Sequence, residues 1–272
     1  MRSSRGFVSI LLAVAALLAT GCGGDDSDEG DSESTEAADA TTTTDAAEPL
    51  RILVTNDDGV AAPGIAALVD ALVALPDTEV IVVAPADNRT GTGGKVTDGP
   101  LTATDATTAS GYPAKAVAGY PADTVIWAVE QGNVEPKPDL VMSGINLGQN
   151  LGPVTSLSGT VGAATKAAQL GLPAVAVSQG LADPTDFPTG VQYALEWLEE
   201  NRDSLAGPAL WNLNVPSCGT TGEVRGRVEV PLATDDTDLA TPVNCSSTMA
   251  TPADDAEAFA NGFAPLSKMA IP

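Results

Sequence analysis

Apolar and polar residues alternate in blocks along the chain, beginning with the short apolar run Ile52–Thr55. A second segment opens at Pro63 and places apolar residues at helical spacing through Leu75, and the apolar run 78–85 follows as a buried strand. A strand, a helix and a strand joined by short turns are typical of a right-handed βαβ unit in a parallel sheet. The pattern therefore predicts an α/β protein.

The same alternation continues to about residue 216. The predicted elements are a helix over 122–130, a strand over 139–144, a helix from near Thr160, a strand over 173–178, a helix over 191–201 and a strand over 209–216. Glycine-rich loops at 89–99 and 144–159 separate some of these elements. We predict a doubly wound, three-layer α/β domain with a mostly parallel sheet and an irregular C-terminal extension.

The first 22 residues have the organisation of an export signal. Two arginines precede an apolar run that is too short for a membrane span, and the run ends at the small-residue site ATGC, residues 19–22. This site resembles a bacterial lipobox, so we expect export, a lipid on Cys22 and attachment to the outer face of the cell membrane. An ordinary cleaved signal and a short anchor with an incidental cysteine are the alternatives.

Residues 23–49 read as a disordered acidic linker. Between Asp25 and Glu48 the chain has no aromatic and no large aliphatic residue, so it cannot bury enough surface to offset the entropy lost on ordering. The remaining residues, 50–272, are enough for one sizeable α/β domain.

The chain is strongly acidic, with a formal net charge of −24, and contains no histidine. The folded region stays acidic when the linker is set aside, which argues against binding to nucleic acid. The absence of histidine excludes Ser-His-Asp and Cys-His catalytic arrangements and histidine metal ligands. The chemistry of this protein must use carboxylates, hydroxyls, amides or a metal.

Two adjacent carboxylates, Asp57 and Asp58, follow the first predicted strand. Their like charges make the pair costly alone and favourable around a cation, and oxygen ligands suit Mg²⁺, Mn²⁺ or Ca²⁺. Because the loops at 88–95 and 144–160 also follow strands, all three should meet at the C-terminal edge of the sheet. A simple turn is the alternative, because Asn-Asp-Asp-Gly is turn-rich sequence.

The two later loops carry groups that suit an anion. The second loop contains Arg89, Thr90, Lys95 and several glycines, whose N–H groups can approach a phosphate closely. Ser158 and Thr160 begin a predicted helix, where free N–H groups and the helix dipole favour phosphate. A mobile surface loop and simple helix capping are the respective alternatives.

Five segments in a fixed order resemble the SurE family of stationary-phase survival nucleotidases. They read ILVTNDDGV, VVAPADNRTG, PDLVMSGINLGQNLG, SGTVGAA and GLPAVAVS, and the similarity runs from Leu50 to about Ser178. Members of this family are α/β metallophosphatases that act on nucleoside monophosphates. The resemblance therefore implies a 5′- or 3′-nucleotidase with a nucleoside monophosphate as substrate.

The resemblance also implies a role for each matching position. The implied metal ligands are Asp57, Asp58, Thr90, which replaces the usual serine of the family, and Asn146. The implied phosphate pocket consists of Asn56, Gly91, Ser158, Gly159 and Thr160. Asp123 belongs to the segment GYPAD, which corresponds to the GTPTD of the family near the nucleoside.

Several positions depart from the family pattern. Ala61 and Ala62 stand where members often have His-Ala, Tyr120 replaces a threonine, and Lys95 lies in a loop that is commonly rich in serine and asparagine. Residues 218–253 differ from the segment that supplies the protruding arm and subunit contact in relatives. Homodimer and tetramer therefore both stay open as assemblies.

We interpret the protein as an exported phosphomonoesterase that uses a divalent metal, Mg²⁺ or Mn²⁺, with Ca²⁺ as a further candidate. Asp57 or Asp58 would take the proton of the attacking water, and an aspartyl-phosphate is the chemical alternative. A lipid-anchored nucleotide- or phosphate-binding protein without turnover is the alternative from another class.

Cys218 and Cys245 are the only cysteines besides Cys22. Outside the cytoplasm an isolated pair is expected to be oxidised, so we predict a disulfide. Two unpaired thiols are the alternative.

Replacing Cys22 by serine should release the exported protein from membranes, because the lipid would be attached through the Cys22 thiol. Cell fractionation of the wild type and Cys22→Ser checks this expectation. A wild-type protein that is already soluble after export contradicts the lipid anchor.

Overall fold

The computed structural model describes residues 48–182, 184–220, 222–235 and 239–272. The predicted signal peptide, the lipobox cysteine Cys22 and the linker up to residue 47 lie outside the described residues. Across the described ranges, no helix is long and apolar enough to span a membrane.

The first βαβ unit forms as the residue pattern predicts. Strand β1 spans Leu50–Thr55, helix α1 spans Pro63–Val73 and strand β2 spans Thr78–Pro85. A proline suits the start of α1, because its φ is already helical and it has no N–H to leave unpaired. Strands β1 and β2 pair in parallel, with Ile52 opposite Val80.

The remaining elements complete a nine-stranded sheet in the order β3-β4-β2-β1-β5-β6-β7-β9-β8. Strands β3 to β9 span Ala103–Thr107, Pro113–Val117, Leu140–Leu147, Pro173–Gln179, Ala209–Val215, Arg227–Glu229 and Ala264–Lys268. Helices α2 to α5 span Pro121–Val125, Gly159–Gln169, Phe187–Asn201 and Asp255–Ala260. Neighbouring strands from β4 to β7 all pair in parallel, so the predicted mostly parallel sheet is confirmed.

Helices cover both faces of the sheet. Successive residues of a strand point to opposite faces, so neighbouring residues of β1 pack against different helices. Ile52 and Val54 of β1 join an apolar cluster that includes Trp197 of α4. Leu53, between them, joins a second cluster that includes Val161 of α3. The predicted three-layer, doubly wound architecture is therefore confirmed.

The structure contains an antiparallel pair, β3 and β4, that the residue pattern does not predict. These strands form one edge of the sheet, and β3 has no buried residue. A strand that buries little carries little apolar periodicity, so the sequence signal is weak. The helix predicted over 122–130 is α2 followed by a π-helical turn, Ile126–Glu130. The strand predicted over 139–144 continues to Leu147.

The C-terminal region contains regular elements that extend the sheet. Strand β9 pairs antiparallel with β7 and parallel with β8. Asp254 caps α5 by accepting a hydrogen bond from the Glu257 N–H over 2.9 Å. The C-terminal extension is therefore part of the same sheet as the rest of the domain.

A disulfide joins Cys218 to Cys245, with a Cα–Cα distance of 5.6 Å. Both residues are buried. Cys245 packs against Gly262, where a Cβ would come within 2.6 Å of the Cys245 Cα, and the neighbouring Asn244 N–H donates to the Ala260 carbonyl oxygen over 2.8 Å. The bridge ties the segment after β7 to the turn between α5 and β9.

Cys245→Ser should lower the free energy of unfolding by roughly 3–4 kcal/mol, because the bridge closes a loop with a sequence separation of 27 and restricts the unfolded chain. Denaturant unfolding of the wild type, the variant and the reduced wild type measures the loss. Reduced wild type should match the variant. Two free thiols in non-reducing peptide mapping of folded protein would contradict the bridge.

Candidate active site

Asp57 and Asp58 lie in the turn that follows β1. Asn56 shapes this turn, because its amide donates to the Gly59 carbonyl oxygen over 2.9 Å and accepts from the Gly59 N–H over 3.2 Å. The turn that the Sequence analysis gives as the alternative to a metal site is therefore present. It also brings both carboxylates close to other loops. Asn56 is fully buried, and its contact with phosphate stays a prediction.

Asp57 is held by the start of α3. The Thr160 hydroxyl donates to Asp57 Oδ1 over 2.6 Å, and the Thr160 backbone also bonds this carboxylate. Gly159 permits the approach, because a Cβ there would lie 2.7 Å from the Asp57 Cβ and 3.0 Å from the Pro121 Cγ. The N-terminus of α3, which favours an anion, is therefore in contact with the Asp57 carboxylate.

Ser158 caps the same helix. Its hydroxyl accepts a hydrogen bond from the Val161 N–H over 3.2 Å. This is the helix capping that the Sequence analysis gives as the alternative to phosphate binding. Ser158 and Thr160 therefore each have a partner within the chain. Their predicted contacts with phosphate stay predictions.

Asp58 is held by the loops that follow β2 and β5. The Leu147 N–H donates to Asp58 Oδ2 and the Asn88 side-chain amide donates to Oδ1, each over 3.2 Å. The Thr90 side chain is a further hydrogen-bond partner. Strands β2 and β5 flank β1 in the sheet, so the three strand ends meet at the carboxylate pair as expected.

Burial raises the pKa of both carboxyl groups above the ordinary range. For Asp57, hydrogen bonds from Thr160 oppose this rise and the neighbouring charge of Asp58 adds to it. For Asp58, the bonds from Leu147, Asn88 and Thr90 oppose it. Two crowded and desolvated carboxyl groups resist ionisation, and a cation beside them would favour it.

Asn146 adds an oxygen that has no partner in the described part of the chain. Its Nδ2 donates to the Gly148 carbonyl oxygen over 2.6 Å, while its buried Oδ1 accepts no hydrogen bond. A buried amide oxygen without a donor is costly, and a hard cation would satisfy it. The oxygens of Asp57, Asp58, Thr90 and Asn146 therefore fit a divalent cation.

The fit depends on neutral oxygens as well as carboxylates. In the ranges that the structure describes, no group of three or more Cys, Asp or Glu side chains could hold a metal. Hydroxyl and amide oxygens would complete the ligand set, and they suit Mg²⁺, Mn²⁺ or Ca²⁺ better than a thiophilic metal.

A basic edge lies on the Thr90 side of the pair. The Arg89 Cζ and the Lys95 Nζ lie 5.8 and 5.9 Å from the centre of the Tyr120 ring, so the same aromatic ring attracts both cations. The Arg89 N–H donates to the Asp57 carbonyl oxygen over 2.6 Å, which anchors this edge to the turn. The adjacent Gly91 is exposed.

The charges of these two cations are largely uncompensated. Among the described residues, Arg89 has one ion-pair partner, Asp87, at 3.6 Å, and both side chains are solvent-exposed in part. Lys95 is exposed and forms no ion pair among the described residues. The edge can therefore offer positive charge to an anion.

Asp123 ties the loop after β2 to the start of α2. Its buried carboxylate accepts from the Thr97 hydroxyl over 2.6 Å, from the Thr97 N–H over 3.0 Å and from the Tyr120 N–H over 2.8 Å. Asp123 thus positions the basic edge. Its predicted contact with the nucleoside stays a prediction.

The sequence does not identify two of the groups that orient Asp58. Asn88 could be found from its place directly after a strand, because that is where the other polar site residues lie. The Leu147 N–H leaves no side-chain signal, since the position of a backbone donor depends on where β5 ends.

The sequence model of the family described as "Survival protein SurE" matches residues 52–234. The chain belongs to the SurE family. Every predicted site residue, from Asn56 to Thr160, lies within the matched range.

Individual SurE proteins resemble the chain over much of the same region. A 5′-nucleotidase SurE of Methylococcus capsulatus is 44% identical over 179 residues, which are 65% of this chain and 68% of that protein. A 5′-nucleotidase SurE of Desulfitobacterium hafniense is 42% identical over 170 residues, 61% of this chain and 64% of that protein. The chain thus spans about two thirds of the length of the curated relatives it matches.

A solved structure shares the fold. The crystal structure of the SurE protein from Aquifex aeolicus matches with a TM-score of 0.66 and 27% sequence identity. The match covers 82% of this chain and 94% of that chain. The mixed sheet and its helical layers are therefore the SurE fold.

Asp58→Asn should remove most of the rise in melting temperature that Mg²⁺ or Mn²⁺ gives the wild type. Asparagine keeps the size and turn preference of aspartate but lacks the charge that holds a cation. Binding to the native state alone contributes about 2.7 kcal/mol at a free ion concentration of about 100 times Kd. Thermal unfolding with the ion and with EDTA measures the difference.

The metal-free proteins provide the control. The raised pKa values mean that the folded protein binds these protons more tightly than the unfolded chain does. Metal-free stability should therefore fall as pH rises through the raised pKa values, and Asp58→Asn should reduce that fall. A wild-type melting temperature that is insensitive to divalent ions would contradict the metal site.

Proposed function

We propose that this SurE chain is a metal-dependent phosphomonoesterase that hydrolyses nucleoside 5′- or 3′-monophosphates to nucleoside and phosphate. The observation that carries the proposal is the adjacent carboxylates of the buried Asp57 and the partly buried Asp58, with the unpartnered Asn146 Oδ1 in the residue before Leu147, whose N–H bonds Asp58. The edge that presents Arg89 and Lys95 adds positive charge at the same place. Family membership and the 5′-nucleotidase names of the relatives support the proposal.

The cation is Mg²⁺ or Mn²⁺, with Ca²⁺ as a further candidate, and its ligands are Asp57, Asp58, Thr90 and Asn146. When bound, it supplies Lewis-acid chemistry and offsets negative charge at the phosphate. The turn made by Asn56 and the bonds to Thr160 and Leu147 hold the carboxylates in place before the ion arrives.

Arg89, Lys95 and the Gly91 backbone bind the phosphate. A guanidinium can donate to two phosphate oxygens, and an ammonium acts as a compact point charge. Gly91 has a φ of 77°, a conformation that glycine adopts without strain and that lets the backbone approach an anion. Together these groups stabilise the charge that develops on the phosphoryl oxygens.

Asp58 takes the proton of the attacking water. It is only partly buried, whereas Asp57 is 2% exposed and bonded to Thr160, so solvent reaches Asp58 more readily. The hydrogen bonds from the Leu147 N–H and the Asn88 amide hold this carboxylate in place to accept the proton. The enclosure of Asp57 favours a water nucleophile over an aspartyl one.

The same proposal places the protein outside the cell, attached to the outer face of the bacterial membrane by a lipid on Cys22. The disulfide between Cys218 and Cys245 supports this location, because such bridges persist in oxidising compartments. A homodimer or tetramer is the assembly that the family resemblance suggests.

Purified protein with Mn²⁺ or Mg²⁺ should release phosphate from AMP and from an aryl phosphate, and EDTA should stop the release. Thr90→Ser keeps the hydroxyl and should retain most of the activity. Thr90→Val keeps the shape but loses the oxygen, so kcat/KM should fall roughly tenfold to a hundredfold. Steady-state kinetics on the three proteins measures this.

Two outcomes would count against the proposal. Nucleotide binding without phosphate release in the presence of Mg²⁺, Mn²⁺ or Ca²⁺ would identify a binding protein. Equal kcat/KM for Thr90→Val and the wild type would remove Thr90 from the ligand set.

A further inference from the structure

The loop over residues 148–158 joins two parts of the proposed metal site, and we call it the β5–α3 loop. Close before the loop, Asn146 donates from Nδ2 to the carbonyl oxygen of Gly148, the first residue of the loop, over 2.6 Å. At the other end Ser158 caps α3, and the Thr160 hydroxyl bonds Asp57. The path of this loop therefore sets where the Asn146 oxygen and the support of Asp57 lie.

The same loop also contacts the loop that carries the basic edge. The Gly93 N–H donates to the Leu157 carbonyl oxygen over 2.9 Å, and a Cβ on Gly93 would lie 2.7 Å from the Ser156 carbonyl oxygen. Gly93 lies between Gly91 and Lys95 in the chain. A displacement of the β5–α3 loop would therefore reach the predicted metal ligands and the basic edge together.

The C-terminal extension holds the middle of this loop through Asp255, the first residue of α5. Asp255 is fully buried, and its Oδ2 accepts from the Gly152 N–H over 2.9 Å. Its Oδ1 accepts from the Ala233 N–H over 2.7 Å, and the Ala256 backbone also bonds the carboxylate. One carboxylate thus joins the loop, the segment after β8 and the start of α5.

We propose that Asp255 is a positioning residue for the phosphomonoesterase reaction. Its carboxylate fixes the β5–α3 loop, so that the Asn146 oxygen and Asp57 stay within reach of one cation. Asp255 acts on the site through Gly152, and it lies beyond residues 52–234, which the SurE family model matches. The inference rests on the proposed function.

The contact requires a carboxylate and not only a side chain of the right size. Asp255 forms no ion pair among the described residues, and a buried charge is costly unless hydrogen-bond donors compensate it. An ionised carboxylate has two acceptor oxygens, whereas an amide has one acceptor oxygen and a donor group. An asparagine could accept from the Gly152 N–H or from the Ala233 N–H, but not from both in the observed arrangement.

Gly152 brings the loop close to the extension. Its φ of 46° is a conformation that residues with a side chain rarely adopt. A Cβ there would lie 3.1 Å from both the Cβ and the carbonyl oxygen of Ala233. A side chain at position 152 would therefore push the loop away from the extension.

A second set of contacts keeps the loop folded on the sheet without Asp255. The Asn150 N–H donates to Asn214 Oδ1 over 2.7 Å, and the Asn150 carbonyl oxygen accepts from the Asn212 amide over 2.8 Å. The Asn150 side-chain amide donates to the Ser178 hydroxyl over 2.8 Å. Loss of the Asp255 contact should therefore shift the loop locally, and the domain should stay folded.

The test compares Asp255→Asn with Asp254→Ala in the purified full-length protein. Asp255→Asn should raise the Kd for Mn²⁺, measured by calorimetry below the melting transition, about tenfold, because one buried N–H loses its acceptor and the loop shifts. Asp254→Ala removes the cap of the same helix and is the control. It should lower the melting temperature and leave the Kd for Mn²⁺ at the wild-type value.

Hydrogen exchange of the metal-free proteins gives a readout that is independent of metal and activity. In Asp255→Asn, peptides from residues 148–158 should exchange faster than in the wild type, while peptides from β1 and β6 keep their protection. In Asp254→Ala, the peptides from residues 148–158 should keep the wild-type exchange rate. A purely structural role of Asp255 would speed exchange across the domain instead.

Gly152→Ala disturbs the same contact from the loop side and leaves Asp255 in place. It should also raise the Kd for Mn²⁺, and it replaces Asp255→Asn in the test if that variant does not fold. When both single variants fold, the double variant should raise the Kd by less than the product of the two single effects, because both changes act on one contact.

The inference is overturned if Asp255→Asn and Gly152→Ala fold and bind Mn²⁺ with the wild-type Kd. It is also overturned if Asp254→Ala raises the Kd as much as Asp255→Asn does, because a general weakening of α5 would then explain the effect. A wild type that binds Mn²⁺ but hydrolyses no phosphomonoester refutes the proposed function instead. The Mn²⁺ titrations of the variants then still decide whether Asp255 positions the loop.

Discussion

The contact between Asp57 and the start of α3 is the constraint on which the rest of the site depends. It joins the end of β1 to a helix that is 103 residues away in sequence, through one hydrogen bond of 2.6 Å. Gly159 makes the contact feasible, because a side chain there would collide with Asp57 and Pro121. Once Asp57 is fixed, the turn made by Asn56 directs Asp58 toward the loops after β2 and β5.

This arrangement concentrates negative charge in a protein that is already acidic, with a net charge of −24. The protein would repel a nucleotide dianion unless the electrostatic potential at the site were positive. Arg89 and Lys95 lie beside the site with little neutralisation, and the Tyr120 ring keeps them together. A divalent ion held by these carboxylates would complete the reversal of charge, and the unpartnered Asn146 oxygen is consistent with that need.

The sheet explains why groups of opposite character can meet at this place. Strand β1 lies between β2 and β5, and the chain leaves these strand ends toward different faces of the sheet. The loop after β2 carries the basic edge, and the Leu147 N–H at the end of β5 bonds Asp58. A doubly wound sheet thus brings cationic and anionic groups from separate loops to a single pair of carboxylates.

The sequence by itself determined the buried strands β1, β2, β5, β6 and β7, the amphipathic helices and the acidic turn at Asp57 and Asp58. These features follow from local periodicity and turn chemistry, which need only neighbouring residues. The resemblance in the motifs added the family and the set of implied ligands. The edge strand β3 escaped because it has no buried residue, and β4 beside it escaped because its buried side chains are two alanines and one valine, which give a weak apolar signal.

Tertiary structure alone decided what each polar group near the pair does. Thr160 and Ser158 begin a helix in the sequence, but only the fold shows that Thr160 bonds Asp57 and that Ser158 caps the helix. The bond from the Leu147 N–H to Asp58 likewise depends on where β5 ends. Such contacts join residues far apart in the chain, and local sequence patterns do not encode the distances between them.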